Sequence, residues 1–226
     1  FHDDQHGTAI VVLAALTNAL KLVKKDLATA KIVMIGVGAA GTAIARLLVA
    51  SGARNIIGFD RHGVVHEHHD NDDPLRTWFV DNCNPGEFRG DAHEALKGAD
   101  IFIGVSGPNL ITEADVASMA KDSIVFALAN PDPEIDPVLA RKHAAVVATG
   151  RSDQPNQINN VLAFPGIFRG LLDGNITKIT DKMLIAAANA IADCVTSDQL
   201  NANFIIPSVF DPRIATVVAN AVRKAN

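Results

Sequence analysis

Three glycines carry the first chemical suggestion in this sequence. The apolar run Lys31-Ile32-Val33-Met34-Ile35 passes directly into Gly36-Val37-Gly38-Ala39-Ala40-Gly41, and a helical pattern follows at once. In that order Gly36 lets the chain turn sharply off a strand, Gly38 lets the backbone approach a pyrophosphate, and Gly41 lets the helix pack closely on the sheet. The first helical residues, Ala39 and Ala40 among them, present unpaired N–H groups and a partial positive charge to an anion. A second strand, Asn55-Ile56-Ile57-Gly58-Phe59-Asp60, then ends on an acid 19 residues after Gly41. A carboxylate there accepts hydrogen bonds from an adenosine ribose and repels a 2′-phosphate, which favours NAD. Arg61 follows, and could pair with that phosphate instead, so NADP stays open. Read from the residues alone, Gly36, Gly38, Ala39, Ala40, Gly41, Asp60 and Arg61 form a dinucleotide-binding set.

Two other clusters could do chemistry. Asp3 and Asp4 stand just before a helical pattern. Adjacent acids there serve equally as a helix cap and dipole partner or as hard oxygen ligands for a cation. His62, His66, His68 and His69 lie among Glu67, Asp70, Asp72 and Asp73. Their spacing fits no metal motif on a regular element, and the segment reads as a solvated polar loop.

The elements that must position these residues alternate between short β-branched runs and longer Ala-rich helical patterns. Strands are expected at 31–35, 55–60, 101–105, 123–128 and 145–148. Helices are expected at 7–25, with Thr8 as N-cap, and at 39–51, 74–81, 92–97, 113–120 and 137–142. Residues 61–73 read as irregular. After Gly150 the pattern turns helical, at 161–172, 180–196 and 212–224. Such alternation specifies an α/β fold: a Rossmann-type, doubly wound parallel sheet with extra flanking helices at both ends.

Composition narrows the function classes. The hydrophobic fraction is 48% and the aromatic fraction 5%, so the core is built from Ala, Val, Ile and Leu, as in α/β layers. A formal net charge of -5 argues against a general nucleic-acid surface. The best apolar run, Ala9–Leu16, soon meets Thr17 and Asn18 and falls short of the roughly 20 residues of a membrane span. Two cysteines are too few for a disulfide framework and suggest a reducing, cytoplasmic setting. The start, Phe1-His2-Asp3-Asp4, lacks the basic region of a signal peptide and reads as a cut through a longer protein. There is no Tyr, so a reaction that needs a phenol must take it from elsewhere.

Three further stretches narrow the reading. They are FHDDQHGT (residues 1–8), FALANPDPE (126–134) and ATGRSDQPNQINNVLAFPG (148–166). With the glycine motif they resemble the C-terminal, NAD-binding half of bacterial malic enzymes over essentially the whole chain. The resemblance implies oxidative decarboxylation of L-malate to pyruvate and CO2, with NAD or NADP and Mg2+ or Mn2+. It implies that Asp4 is a metal ligand with Asp3 behind it, and that Val105-Ser106-Gly107 lies along the cofactor. It further implies that Asn130 touches the nicotinamide end and substrate, that Asn159 holds the nicotinamide or its ribose, and that Asn160 holds the malate carboxylate. Asn109 departs from the small residue expected in that loop. In malic enzymes a Lys base and a Tyr acid come from an N-terminal catalytic domain, whose motifs this sequence does not contain. The expected organisation is therefore one NAD(P)-binding domain over 1–226, joined in the intact protein to that absent domain and forming a homo-oligomer, a dimer, without nucleic-acid or membrane partners. A purely regulatory dinucleotide-binding module and another amino-acid-dehydrogenase-like oxidoreductase are the alternatives; neither has a use for Asp4 and the paired asparagines.

Overall fold

The computed structural model describes residues 1–68 and 73–226. Its centre is a six-stranded sheet in the order β3-β2-β1-β4-β5-β6. β1 (Lys31–Ile35), β2 (Asn55–Asp60), β4 (Ile101–Gly104), β5 (Ile124–Ala127) and β6 (Val146–Thr149) run parallel. Apart from residues at the ends of β1 and β2, these strands are buried, because helices cover both faces; this is why they read as unbroken apolar runs. The sixth strand, β3 (Gly63–Val64), is a two-residue antiparallel return beside β2. It falls in the stretch expected to be irregular, since two residues carry no periodicity.

The parallel register sets up the site. Phe59, Ile35, Gly104, Ala127 and Thr149 are successive partners across the sheet at its C-terminal edge. Strand order reverses on either side of β1, and the crevice of such a sheet opens between the ends of β1 and β4. Gly36 and Val105 are the residues that leave those two strands.

One face of the sheet carries α1 (Thr8–Val23), α2 (Ala39–Ala50), α3 (Pro74–Asn82), α7 (Phe164–Asp173), α8 (Asp181–Ala192) and α9 (Ile214–Lys224) over the larger apolar core. The other carries α4 (Ala92–Leu96), α5 (Glu113–Ser118) and α6 (Pro137–Ala140) over a smaller one. Side-chain caps start many of these helices. Asp73 accepts from the N–H groups of Leu75 and Arg76, and Asp91 with Glu94 and Thr112 with Asp115 form reciprocal capping boxes.

Three details differ from expectation. Thr8 is not an N-cap: the chain is already helical before it, as a π-helical turn over Asp3–Gly7 that runs into α1. The helix expected from Val161 is a short 3₁₀ turn, Asn160–Leu162, followed by α7, whose start falls at Phe164-Pro165. The third concerns membranes. The continuous helix Asp3–Val23 has 21 residues and a mean hydropathy of 1.5, enough by length and composition to span a bilayer. Thr17 and Asn18 do not dilute it as far as their polarity suggested. In its most apolar 18-residue stretch 67% is buried inside this fold, and the Asn18 side chain donates to the carbonyls of Ala192 and Ile205. That is the environment of a central core helix, with its one buried amide satisfied.

Candidate functional site

The glycine turn has the geometry its sequence implies. Gly36 adopts φ +105, a left-handed conformation open chiefly to glycine, and a Cβ on it would lie 2.8 Å from the Val105 carbonyl oxygen. A Cβ on Gly41 would be driven into the Gly36 carbonyl oxygen. The start of α2 therefore sits directly over the end of β1. Gly38 is the N-terminal flank of α2, and a Cβ there would meet nothing within 4 Å. Among the described residues no side chain fills that space, and none caps the first turn of α2. The turn thus leaves its anion-accepting face open, as a pyrophosphate requires.

Beside the turn lies a cavity of about 410 Å3 lined by Asp4, Ala40, Val105, Ser106, Asn130, Asn159 and Asn160, together with Thr8, Leu128, Ala129, Gly150 and Ile158. Residues that the sequence places up to 156 positions apart, Asp4 and Asn160, thus face one space. Each arrives by a different element. The π-helical turn presents Asp4, the start of α2 presents Ala40, and the ends of β4 and β5 present Val105-Ser106 and Ala129-Asn130. The segment after β6 presents Asn159 and Asn160. A cis bond joins Asn130 to Pro131, and the absence of a side chain on Gly150 leaves room for the Asn130 amide. Asn159 caps the 3₁₀ turn by accepting from the Val161 N–H at 3.1 Å. Gly107 lies beyond the cavity lining, and Asn109 adopts φ 55 with its N–H bonded to the Pro133 carbonyl.

The acidic end of the cavity is strained electrostatically. Asn160 donates to Asp3 Oδ2 at 2.6 Å, while Asp3 Oδ1 is buried with no hydrogen-bond partner. Burial, with the neighbouring Asp4 charge adding to it, pushes the Asp3 carboxyl above its ordinary value. An orphaned buried oxygen beside a second carboxylate suits a hard cation. Among the described residues, however, no three His, Cys, Asp or Glu side chains converge, so these residues do not fill an octahedral shell by themselves.

Asp60 sits where the fingerprint requires, but it is not a free charge. Its Oδ1 accepts from the His62 N–H at 2.7 Å, and its Oδ2 pairs with the Arg76 guanidinium at 2.6 Å. Arg76 comes from the first turn of α3, a helix held against α2 by the Arg46 guanidinium stacked 5.0 Å over the Trp78 ring. Arg61 is exposed and donates to the His62 ring at 3.0 Å. In the same loop His68 pairs with Asp81, and Asp73 caps α3; His69, Asp70 and Asp72 lie outside the described residues. Both cysteines are buried and unpaired, and burial pushes the Cys83 thiol up to about 12.

Sequence reasoning missed Arg76, which sits in a helix with no motif and reaches back 16 positions to Asp60. It also missed two buried polar residues inside the quoted motifs. Asn156 donates to the Val147 and Ala202 carbonyls and accepts from the Ile205 N–H, fastening the segment that carries Asn159 and Asn160. Glu134 is fully buried beneath the cavity. Asparagine and glutamate look like surface residues in a composition, and only the fold reveals them as interior.

Comparison with known proteins decides among dinucleotide-binding families. The family model for the malic enzyme NAD-binding domain matches residues 5–226. This chain belongs to the malic enzyme family. It is 53% identical to the NAD-dependent malic enzyme of Geobacillus stearothermophilus across its whole length, covering 47% of that protein. It is 43% identical to the NADP-dependent malic enzyme of Halomonas elongata, covering 57% of it. The crystal structure of the Thermotoga maritima NAD-dependent malic enzyme superposes with a TM-score of 0.92 at 45% identity, over 99% of this chain and 59% of that one. The chain thus spans about half the length of these three malic enzymes, and about a third of that of the Escherichia coli NADP-dependent malic enzyme.

The glycines separate folding from binding in a measurable way. Gly41→Ala is expected to destabilise the domain by roughly 1–3 kcal/mol in urea unfolding, because α2 must be pushed off β1. Gly38→Val is expected to leave the urea midpoint nearly unchanged and to abolish measurable dinucleotide binding, because its side chain enters the open face. A Gly38→Val domain that binds cofactor like wild type would place the pyrophosphate elsewhere.

Proposed function

We propose that this chain is the cofactor-binding half of an NAD(P)-dependent malic enzyme, which converts L-malate to pyruvate and CO2 with a divalent cation. The observation that carries the reading is the convergence of Asp4, Asn130, Asn159 and Asn160 on one cavity beside the open glycine turn. In this reading the pyrophosphate lies on the N–H groups from Gly38 to Gly41. The adenosine ribose reaches Asp60, and the nicotinamide lies over Val105, Ser106 and Asn130 in the cavity. Asn159 orients the nicotinamide end and Asn160 the malate carboxylate, while Asp4 supplies one oxygen ligand and Asp3 holds Asn160 in place. A bound Mg2+ or Mn2+ would polarise the substrate oxygens. What these side chains provide is position: a donor face for the carboxylate and a hydride acceptor held against C2 of malate.

The same reading assigns the proton chemistry to other residues. The chain has no Tyr to protonate an enolate, and the acids among its described residues complete no metal shell. We infer a catalytic partner domain that brings both, and homodimerisation of the intact enzyme. Purified chain supplied with malate, NAD and Mn2+ is therefore expected to bind NAD and form no NADH. Steady, metal-dependent NADH formation that survives repurification would contradict this division of labour.

Cofactor choice turns on the pair Asp60–Arg76. A carboxylate offers about four lone-pair positions, so Asp60 can still accept from a ribose hydroxyl while holding Arg76 and the His62 N–H. Its charge, however, is offset by the guanidinium, which narrows the margin for NAD over NADP. Two unit charges about 4 Å apart at an effective dielectric near 20 interact by roughly 4 kcal/mol before screening. We expect Asp60→Asn to lower the NAD-to-NADP affinity ratio by at least about tenfold in titration calorimetry, and Arg76→Ala to raise it. Unchanged ratios in both variants would move the determinant to Arg61 or the loop beyond it.

A further inference from the structure

Glu134 has no part in the reading above, yet it is the one fully buried acid of the described chain. It enters the space left by Gly104, the last residue of β4: a Cβ on that glycine would lie 2.6 Å from Glu134 Cγ. Its Oε1 accepts from the Ser106 N–H at 3.0 Å and its Oε2 from the Ala129 N–H at 3.2 Å. The main chain continues the same seam, with Asn109 N–H bonded to the Pro133 carbonyl and Ile111 N–H to that of Glu134 itself. No Lys, Arg or His is paired with this carboxylate among the described residues.

We propose that Glu134 is a positioning residue that clamps the loop after β4 to the turn after β5, and so fixes the floor for the nicotinamide half of the cofactor. Ser106 and Ala129 both line the cavity, and each leaves its strand where the sheet stops supplying hydrogen-bond partners. Without Glu134 the Ala129 N–H would stay buried and unmatched, and the Ser106 N–H, on a more exposed residue, would be free to turn to solvent and draw its loop out of position. One carboxylate satisfies both because it accepts at two oxygens at once. Burial raises the Glu134 carboxyl above its ordinary value, and the backbone N–H bonds work against that rise. The Glu134 carboxylate itself bonds neither the glycine turn nor Asp60, although Ser106 packs against Gly36, so its effect falls mainly on the nicotinamide half of the cofactor. The inference rests on the dinucleotide reading.

Glu134→Gln is the isosteric test, because the amide keeps one acceptor and turns the other into a donor that faces an N–H. Titration calorimetry compares NAD with ADP-ribose, which lacks nicotinamide, on the wild-type and variant chains. A lost clamp hydrogen bond is worth at least about 1 kcal/mol, or roughly fivefold. The variant is expected to lose at least about fivefold in NAD affinity and less than about twofold in ADP-ribose affinity. Equal losses for both ligands indicate a merely structural role and overturn the proposal, as does unchanged NAD binding. A wild-type chain that binds neither ligand overturns the dinucleotide reading and takes this inference with it. Amide hydrogen exchange on the wild type tests the clamp even if the variant does not fold. Ser106 and Ala129 are expected to be protected as strongly as the amides of β4 and β5, and exchange at the rate of exposed loop amides would overturn the clamp.

Discussion

The close approach of the Gly41 α-carbon to the Gly36 carbonyl sets the geometry of everything around it. Without side chains at these two positions, α2 can begin directly above the end of β1, with its N–H groups aimed along the crevice rather than into the sheet. Move α2 outward by the width of a methyl group and the anion site opens away from the ends of β4 and β5. The fold thus fixes the relation between a phosphate-accepting helix terminus and the cavity next to it by excluding atoms, which is a stiffer constraint than any single hydrogen bond.

From that constraint the polar groups divide by location. On the β2 side lies a charge pair, Asp60 with Arg76, suited to reading the 2′ position of a ribose. On the side of β4 to β6 lie neutral amides and one exposed acid, suited to holding a nicotinamide ring and a carboxylate near a cation. Beneath this second group, interior polar residues fasten chain segments that have no ladder to support them. Asn156 ties the segment beyond β6, and Asp3 bonds Asn160. Much of the lining of the cavity is made by loops and helix starts, and their precision comes from hydrogen bonds that point away from it.

Much of this was legible in the sequence, for physical reasons. Strands buried on both faces must be continuous apolar runs, so β1, β2, β4, β5 and β6 announced themselves, and the glycine spacing located the turn. The motif stretches pointed to Asp4, Asn130, Asn159 and Asn160, which the fold brings onto one cavity. What stayed hidden depends on distance or burial. The strand β3 is too short for a pattern. The ion pair of Asp60 with Arg76 joins two elements through space, so Asp60 read as a free acid when it is a neutralised one. The π-helical turn at Asp3–Gly7 has no signature beyond the residues it displays. Glu134 and Asn156 are of types that usually face water, and only the packing around Gly104 and the segment 201–205 reveals that they do not.

The central claim is that one dinucleotide spans the glycine turn and the cavity in a single orientation. A crystal structure of this chain soaked with NAD tests it directly. The expected result is a pyrophosphate on the N–H groups of Gly38 to Gly41, an adenosine ribose within hydrogen-bond reach of Asp60, and a nicotinamide ring over Val105, Ser106 and Asn130 with Asn159 beside it. A cofactor bound with its nicotinamide outside that cavity, or with its phosphates away from the start of α2, would contradict the account.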